Sequence, residues 1–259
     1  MWQPRLVALD IDGTLLDHDG VLPQSVTRAV GRVVAAGVPV VLSTGRGWAG
    51  TKPIADALAL PAGQHVSSNG AVRVRHPPFE VLERVTFDPA AVVERVLAEH
   101  PEAMLAVEII GEGFMVNRPF PAGELTGEMV TVDLAELVAE PVTRVVVRDP
   151  NASEHDFIAL AHRLGMEGVS YFIGYTAWLD IAPDGVDKSY GLAGVCLDLG
   201  IDAADVLALG DGRNDIEMLR WAGRGVALGD APEEVKCAAD QVTDRFAEGG
   251  TVRELQRWF

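Results

Sequence analysis

Residues 6 to 16 read Leu-Val-Ala-Leu-Asp-Ile-Asp-Gly-Thr-Leu-Leu, and the order of those side chains decides the fold. Leu6 to Leu9 is a short unbroken apolar run, the pattern of a strand buried on both faces of a parallel sheet. Alternation along the extended segment that follows sets Asp10 and Asp12 on one side and turns Ile11 away. Gly13 lets the backbone turn tightly, so that neighbouring N–H groups can face an anion. Two carboxylates side by side raise each other's pKa unless a cation or a division of labour accommodates them. In an open α/β sheet this loop opens at the carboxyl ends of the strands, where ligands bind.

The segments around this stretch extend the same pattern. Val26, Ala29, Val30, Val33 and Val34 recur at helical spacing after Pro23, and Val38 to Leu42 reads as a second buried strand. Strand, helix and strand make a βαβ unit with a right-handed crossover. The C-terminal third repeats the alternation. Strands are expected at Val206 to Leu209, Gly225 to Leu228 and Val242-Thr243, with helices at Asn214 to Ala222, Ala231 to Ala239 and a last one through Leu255. The middle differs: Leu105 to Val116 suggests a hairpin, Thr143 to Arg148 a strand, and Val169 to Ile181 is rich in β-branched and aromatic residues. Helices are expected near Ala90 to Glu99 and Ser153 to Leu164. Pro77-Pro78 and Pro183-Asp184-Gly185 punctuate the two ends of this region. The expected fold is therefore α/β, a Rossmann-like three-layer core with a parallel sheet formed by residues 1–78 and 183–259. An α+β domain of residues 79–182 is inserted into it.

The chain has 259 residues, 21 basic and 38 acidic, for a formal net charge of −17. That balance argues against nucleic-acid scaffolding and against binding to anionic membranes, both of which need a surplus of Lys and Arg. It suits metal binding or plain solubility. Cys196 and Cys237 are far apart, without a CxxC partner or flanking His, and are expected to be buried free thiols in a reducing compartment. The first ten residues lack the layout of a secretory signal. Val33 to Leu42 is too short, and too broken by Gly37 and Pro39, to span a bilayer. A soluble cytoplasmic protein is expected.

The motifs taken together resemble the haloacid dehalogenase superfamily of phosphohydrolases and phosphomutases. Asp10 to Leu16 is similar to its first-strand signature. Ser43-Thr44-Gly45-Arg46, Ser68-Asn69-Gly70-Ala71, Lys188 after Gly185-Val186-Asp187, and Gly210-Asp211-Gly212-Arg213-Asn214-Asp215 resemble, in order, the loops of its Cof-type branch, subfamily IIB. The inserted region matches the place of that branch's C2-type cap. Ser189 departs from the usual Gly after the lysine. The resemblance implies a phosphatase in which Asp10 attacks phosphorus to form an aspartyl-phosphate, while Asp12 protonates the leaving oxygen and then activates water. It also implies that Thr44, Gly45, Lys188 and the amides of Ile11 to Gly13 hold the phosphoryl group. Asn214 would touch the phosphate, orient Lys188 or cap the following helix.

Asp211 and Asp215 end another buried strand and should converge on the Asp10 loop. Hard oxygen donors with no His or Cys nearby select Mg²⁺ over zinc. The expected ligands are Asp10, the Asp12 carbonyl, Asp211, and Asp215 directly or through water. The favoured substrate is a small phosphorylated metabolite, with sugar phosphates implied by the resemblance. A phosphomutase or phosphotransferase is the alternative enzyme class, and a non-catalytic metabolite-binding protein the third reading. In the inserted region Asn117, Arg118, Arg144 and Arg148 are polar candidates without a motif, each arginine reading first as a surface charge. Trp178 and Tyr175 read first as packing residues. Among the six histidines, His18 is the one near the Asp10 loop.

Overall fold

In this computed structural model, which describes residues 2–149, 169–173 (backbone alone) and 178–259, all four residues of β1 (Leu6–Leu9) are buried. The unbroken apolar run demands that, because in a parallel sheet both faces of a strand are covered. Helix α1 (Gln24–Ala35) turns Val26, Ala29, Val30 and Val33 inward, an i, i+3, i+4, i+7 stripe whose valines each contribute roughly 1.5–2 kcal/mol by burial. The chain returns as β2 (Val40–Leu42), parallel to β1.

Two compact units divide the described chain. Met1–Gly45, Thr51–Glu83 and Asp187–Phe259 form the first; Arg46–Gly50 and Arg84–Val186 form the second. In the first unit, the strands β12 (Val206–Gly210), β13 (Arg224–Ala227) and β14 (Gln241–Val242) complete a parallel sheet of order β14-β13-β12-β1-β2. The chain runs outward from β1 in one direction and from β12 in the other, so the order reverses between them. Register makes that reversal chemically useful. Leu9 is level with both Leu42 and Leu209, and the residues that follow all emerge at one edge. Helices α5 (Lys188–Leu199), α6 (Ile216–Trp221) and α7 (Glu233–Ala238) cover part of this sheet. Leu192, Val195, Met218, Leu219 and Val235 join Leu6, Ala8, Val206 and Ala208 in one core. Helix α8 (Gly250–Gln256) packs on α1.

A small sheet of β3 (Gly63–Ser67), β4 (Val72–His76) and β5 (Glu80–Arg84) had no counterpart among the sequence expectations. Its strands are short and carry Gln64, His65, Arg73 and Arg75, so they show no apolar run. Pro77 and Pro78 lie in the turn between β4 and β5. The passage from the first unit to the second falls after Glu83. Helix α2 (Trp48–Ala57) contains Pro53 and was likewise not expected.

β3 is fastened to β2 by the Ser43–Val66 bridge and by the Leu42 N–H, which donates to His65 Nδ1 at 3.2 Å. Burial, with a smaller push from His76, lowers the His65 pKa from 6.5 to about 4. A folded-state pKa below the unfolded one leaves stability intact above pH 6.5 and removes it as the pH falls towards 4. At pH 5 this histidine alone should cost about 2 kcal/mol. Urea unfolding of the His65→Gln variant should therefore lose less stability between pH 7 and pH 5 than wild type, by about that amount. Parallel pH profiles would refute the assignment.

In the second unit, helix α3 (Ala90–Glu99) lies against a sheet of β6 (Met104–Ile109), β7 (Gly113–Val116), β8 (Glu128–Thr131), β9 (Val145–Arg148), β10 (Val169–Ile173) and β11 (Trp178–Pro183). Its order among the described residues is β10-β11-β9-β6-β7-β8, antiparallel except for β7 with β8. A four-residue helix α4 (Leu134–Leu137) is capped by Asp133. Strand alternation assigns the two faces: Leu105, Val107, Val145, Val147, Leu179 and Ile181 meet α3, while Ala106, Phe114, Val116 and Val146 pack with Phe120 and Leu125. The hairpin expected within Leu105 to Val116 is β6–β7, and the helix expected at Ala90 to Glu99 is α3. The helix expected at Ser153 to Leu164, together with Tyr175, His155 and His162, lies outside the described residues.

Cys196 is buried, but Cys237 is exposed, contrary to expectation. It sits two residues after the buried Val235 on α7, a spacing that puts it on the opposite helix face. No helix among the described residues is long and apolar enough to cross a membrane.

Candidate active site

Asp10 leaves the end of β1 with its N–H bonded to Leu209 O at 3.0 Å, and is 5% exposed. Asp211 and Asp215 follow β12, and Lys188 opens α5. These four side chains meet. Lys188 Nζ lies 2.7 Å from Asp10 Oδ1 and 2.6 Å from Asp215 Oδ1, and the lysine is fully buried. Its helix is held in place by Asp187, whose carboxylate accepts from the Ser189 and Tyr190 N–H groups and from Ser189 Oγ. The serine that stands in place of the usual glycine thus reinforces the cap. The second oxygen of Asp215 accepts the N–H groups of Asp211 and Gly212 at 3.0 and 2.9 Å. Asp215 therefore braces the loop that carries Asp211, and it, rather than Asn214, satisfies the open N–H groups at the start of that turn.

Thr14 Oγ1 donates to Asp211 Oδ1 at 3.1 Å, and the Thr14 carbonyl accepts from Thr251 Oγ1 at 2.6 Å. The end of the chain thereby steadies the acidic loop. Gly13 has φ +78°, and a Cβ there would stand 2.2 Å from Asp211 Oδ2, so both backbone angle and space reserve the position for glycine. The expectation that the Gly13 N–H faces an anion is not met. That group closes the turn by donating to Leu16 O at 3.0 Å, because the chain reverses too sharply to leave it open. Ile11 is buried, and its carbonyl accepts from Leu15 and Leu16.

Electrostatics follow from crowding. Burial pushes the Asp10 carboxyl well above the ordinary carboxylate range, opposed by Lys188 and aided by Asp215, Asp211 and Asp12. Asp211 is raised to about 7 by burial and by Asp215. Burial works against the Lys188 ammonium, but the Asp10 and Asp215 carboxylates overcome it and hold its pKa above the ordinary value. Asp12 is exposed and lies near enough to push both Asp10 and Asp211 upward.

One carboxylate oxygen each of Asp10, Asp211 and Asp215 falls within 4.8 Å of the others. Three hard donors, two of which share a buried ammonium, fit a hard divalent cation such as Mg²⁺. The Asp12 side chain is not among these donors.

Thr44 is buried, its N–H bonded to Val66 O at 3.1 Å. Gly45 follows beside the amides of Asn69 and Asn214. Asn214 Nδ2 donates to Asn69 Oδ1 at 2.9 Å. The sequence motif assigns Asn69 no role; its Asn-Gly pair, which favours a left-handed turn, is the signal that marks it.

The remaining candidates divide differently. His18 is solvent-exposed and paired with Asp19; it does not join the site. Arg144, expected as a surface charge, is buried, because Asp180 accepts two of its hydrogen bonds at 2.9 and 3.0 Å and the Phe114 ring lies beneath it. Asn117 bonds the Leu105 N–H and the Ala103 carbonyl across β6. Arg118 pairs with Glu102 and Arg148 with Glu124. Trp178 packs edge-on against Phe120.

A family model described as haloacid dehalogenase-like hydrolase matches residues 7–255. The chain belongs to that family of hydrolases. It is 29% identical over 276 residues to the 5-amino-6-(5-phospho-D-ribitylamino)uracil phosphatase YitU of Bacillus subtilis, covering 99% of this chain and 98% of that one. It is 31% identical over 234 residues to the HMP-PP phosphatase of Cronobacter sakazakii, covering 88% and 85%. Among solved structures, BT1666 from Bacteroides thetaiotaomicron, described among phosphatases of the same superfamily, superposes with a TM-score of 0.81 at 28% identity, covering 99% of this chain and 95% of that one.

Proposed function

We propose that this hydrolase is a Mg²⁺-dependent phosphatase that cleaves a small phosphorylated metabolite, of the sugar-phosphate class, through an aspartyl-phosphate on Asp10. The observation that carries the reading is the buried contact of Lys188 with both Asp10 and Asp215, beside Asp211, where the strand order reverses. Relatives named for a phosphorylated ribityl compound and for HMP-PP support a small phosphorylated metabolite as substrate.

Lys188 engages Oδ1 of Asp10 and opposes the upward pull of burial on its carboxyl; the second oxygen is the attacking atom. As its bond to phosphorus forms, the bond to the ester oxygen breaks, and that oxygen takes the proton of Asp12. Asp12, now ionised, removes a proton from water. The water oxygen attacks phosphorus, and Asp10 and inorganic phosphate are released. Thr44, Asn214, Lys188 and the amides of Ile11 and Asp12 hold the transferring group. Asp10, Asp211, Asp215 and the Asp12 carbonyl would hold the cation, which supplies positive charge beside the phosphoryl oxygens. The inserted residues 79–182 are assigned the part of a C2-type cap that selects substrate.

Phosphate release from a panel of phosphomonoesters tests the reading. Dialysis against EDTA should abolish it, and Mg²⁺ should restore it; turnover unchanged in metal-free protein would overturn the metal assignment. Transfer of phosphate to a second hydroxyl, without release, would replace hydrolase with phosphotransferase.

A further inference from the structure

The three-residue turn Ser68–Gly70 touches three of the four elements to which the proposed function assigns the phosphoryl group: the Thr44 loop, the Asn214 turn and the start of α5. Ser68 and Asn69 have φ +51° and +52°, two consecutive left-handed residues without the freedom of glycine, followed by Gly70 at +100°. Such strain persists only where the surroundings enforce it. The Asn69 N–H donates to the Thr44 carbonyl at 3.0 Å. Its side-chain oxygen accepts from Asn214 Nδ2 at 2.9 Å. Gly70 lies so close to the cap of α5 that a Cβ would stand 1.8 Å from Asp187 O, one residue before Lys188. Asn69 itself is 2% exposed, so its side chain is committed to these contacts and not to solvent.

We propose that Asn69 is a positioning residue for phosphoryl transfer, acting through Asn214. The inference rests on the reading of the site as a phosphatase. The left-handed backbone turns the Asn69 amide towards Asn214 and fixes one of that residue's N–H bonds. The remaining N–H of Asn214 then has a set direction relative to Thr44, because both residues are tied to the same turn. A terminal amide is otherwise free to swing, and a misplacement of about 1 Å costs about 10²-fold in rate.

Asn69→Gly isolates the side chain: glycine accepts φ +52° without strain and keeps the N–H bond to Thr44. The variant should melt within about 3 °C of wild type. Its kcat for Mg²⁺-dependent hydrolysis of p-nitrophenyl phosphate should fall by about 10- to 100-fold, with KM changed by less than about threefold. The distinguishing measurement is the double variant. If Asn69 acts through Asn214, then Asn69→Gly in an Asn214→Ala background should lower kcat no further than about twofold. Full additivity in that cycle, or a wild-type kcat in Asn69→Gly, would overturn the proposal. Asn69→Ser, which refills part of the space but lacks the terminal amide, enters the same cycle if the glycine variant does not fold. Wild-type protein that releases no phosphate from any ester would instead refute the phosphatase reading on which the proposal stands.

Discussion

Asp10→Asn should abolish phosphate release, by at least about 10⁴-fold, while leaving the protein folded. An amide is nearly isosteric with the carboxylate but is no nucleophile towards phosphorus, so the first covalent step has no attacking atom. Stability should be kept for an electrostatic reason. Asp10, Asp211 and Asp215 crowd one buried ammonium, and burial already pushes the Asp10 carboxyl upward against its ionised form. Removing that charge leaves Lys188 paired with Asp215 at 2.6 Å and relieves repulsion with Asp211. Thermal melting without added metal should stay level or rise. Phosphate release within about tenfold of wild type would sink the assignment of Asp10 as nucleophile.

The parts of this fold that could be read from the sequence are those where packing leaves a linear trace. Strands β1 and β12 are buried on both faces, so each is a continuous apolar run ending in an aspartate loop. Helix α1 buries one stripe and shows it at helical spacing. The small sheet leaves no such trace. Arg73 on β4 binds Glu83 on β5, Gln64 on β3, and Gly194 and Asp198 on α5; its strand is satisfied by partners up to 125 residues away. Arg144 read as a surface charge because its partner, Asp180, is 36 positions distant and reaches it only when β9 pairs with β11. In the candidate site the acids were legible as motifs, but their division of labour was not. That Asp215 spends one oxygen on Lys188 and the other on two backbone N–H groups depends on a turn geometry that no spacing reveals. The loss of the Gly13 N–H to the turn has the same origin.

Lys188→Met should be the most disruptive substitution, and its pH dependence should reveal why. Methionine fills much of the space of the lysine stem but supplies no charge, leaving the buried Asp10 and Asp215 and the half-buried Asp211 without a cation. Breaking a buried ion pair by deleting one partner costs about 3–5 kcal/mol near neutral pH. The folded-state pKa values of Asp10 and Asp211, already raised in the presence of Lys188, should rise further. Groups with a folded pKa above the unfolded value contribute stability that is present below the unfolded pKa and lost as the pH rises through the folded one. The variant should therefore be more stable at pH 5 than at pH 7.5, opposite in slope to the contribution of His65. Mg²⁺ at neutral pH should return part of the lost stability by replacing the missing charge among the carboxylates. Activity should not return with it: kcat should remain about 10³-fold below wild type, because a cation restored among the acids does not hold Oδ1 of Asp10 as the Lys188 ammonium does. Urea unfolding at the two pH values, with and without Mg²⁺, separates these effects. A Lys188→Met protein with wild-type stability at pH 7.5 would show that the ammonium is not what keeps the acidic cluster buried.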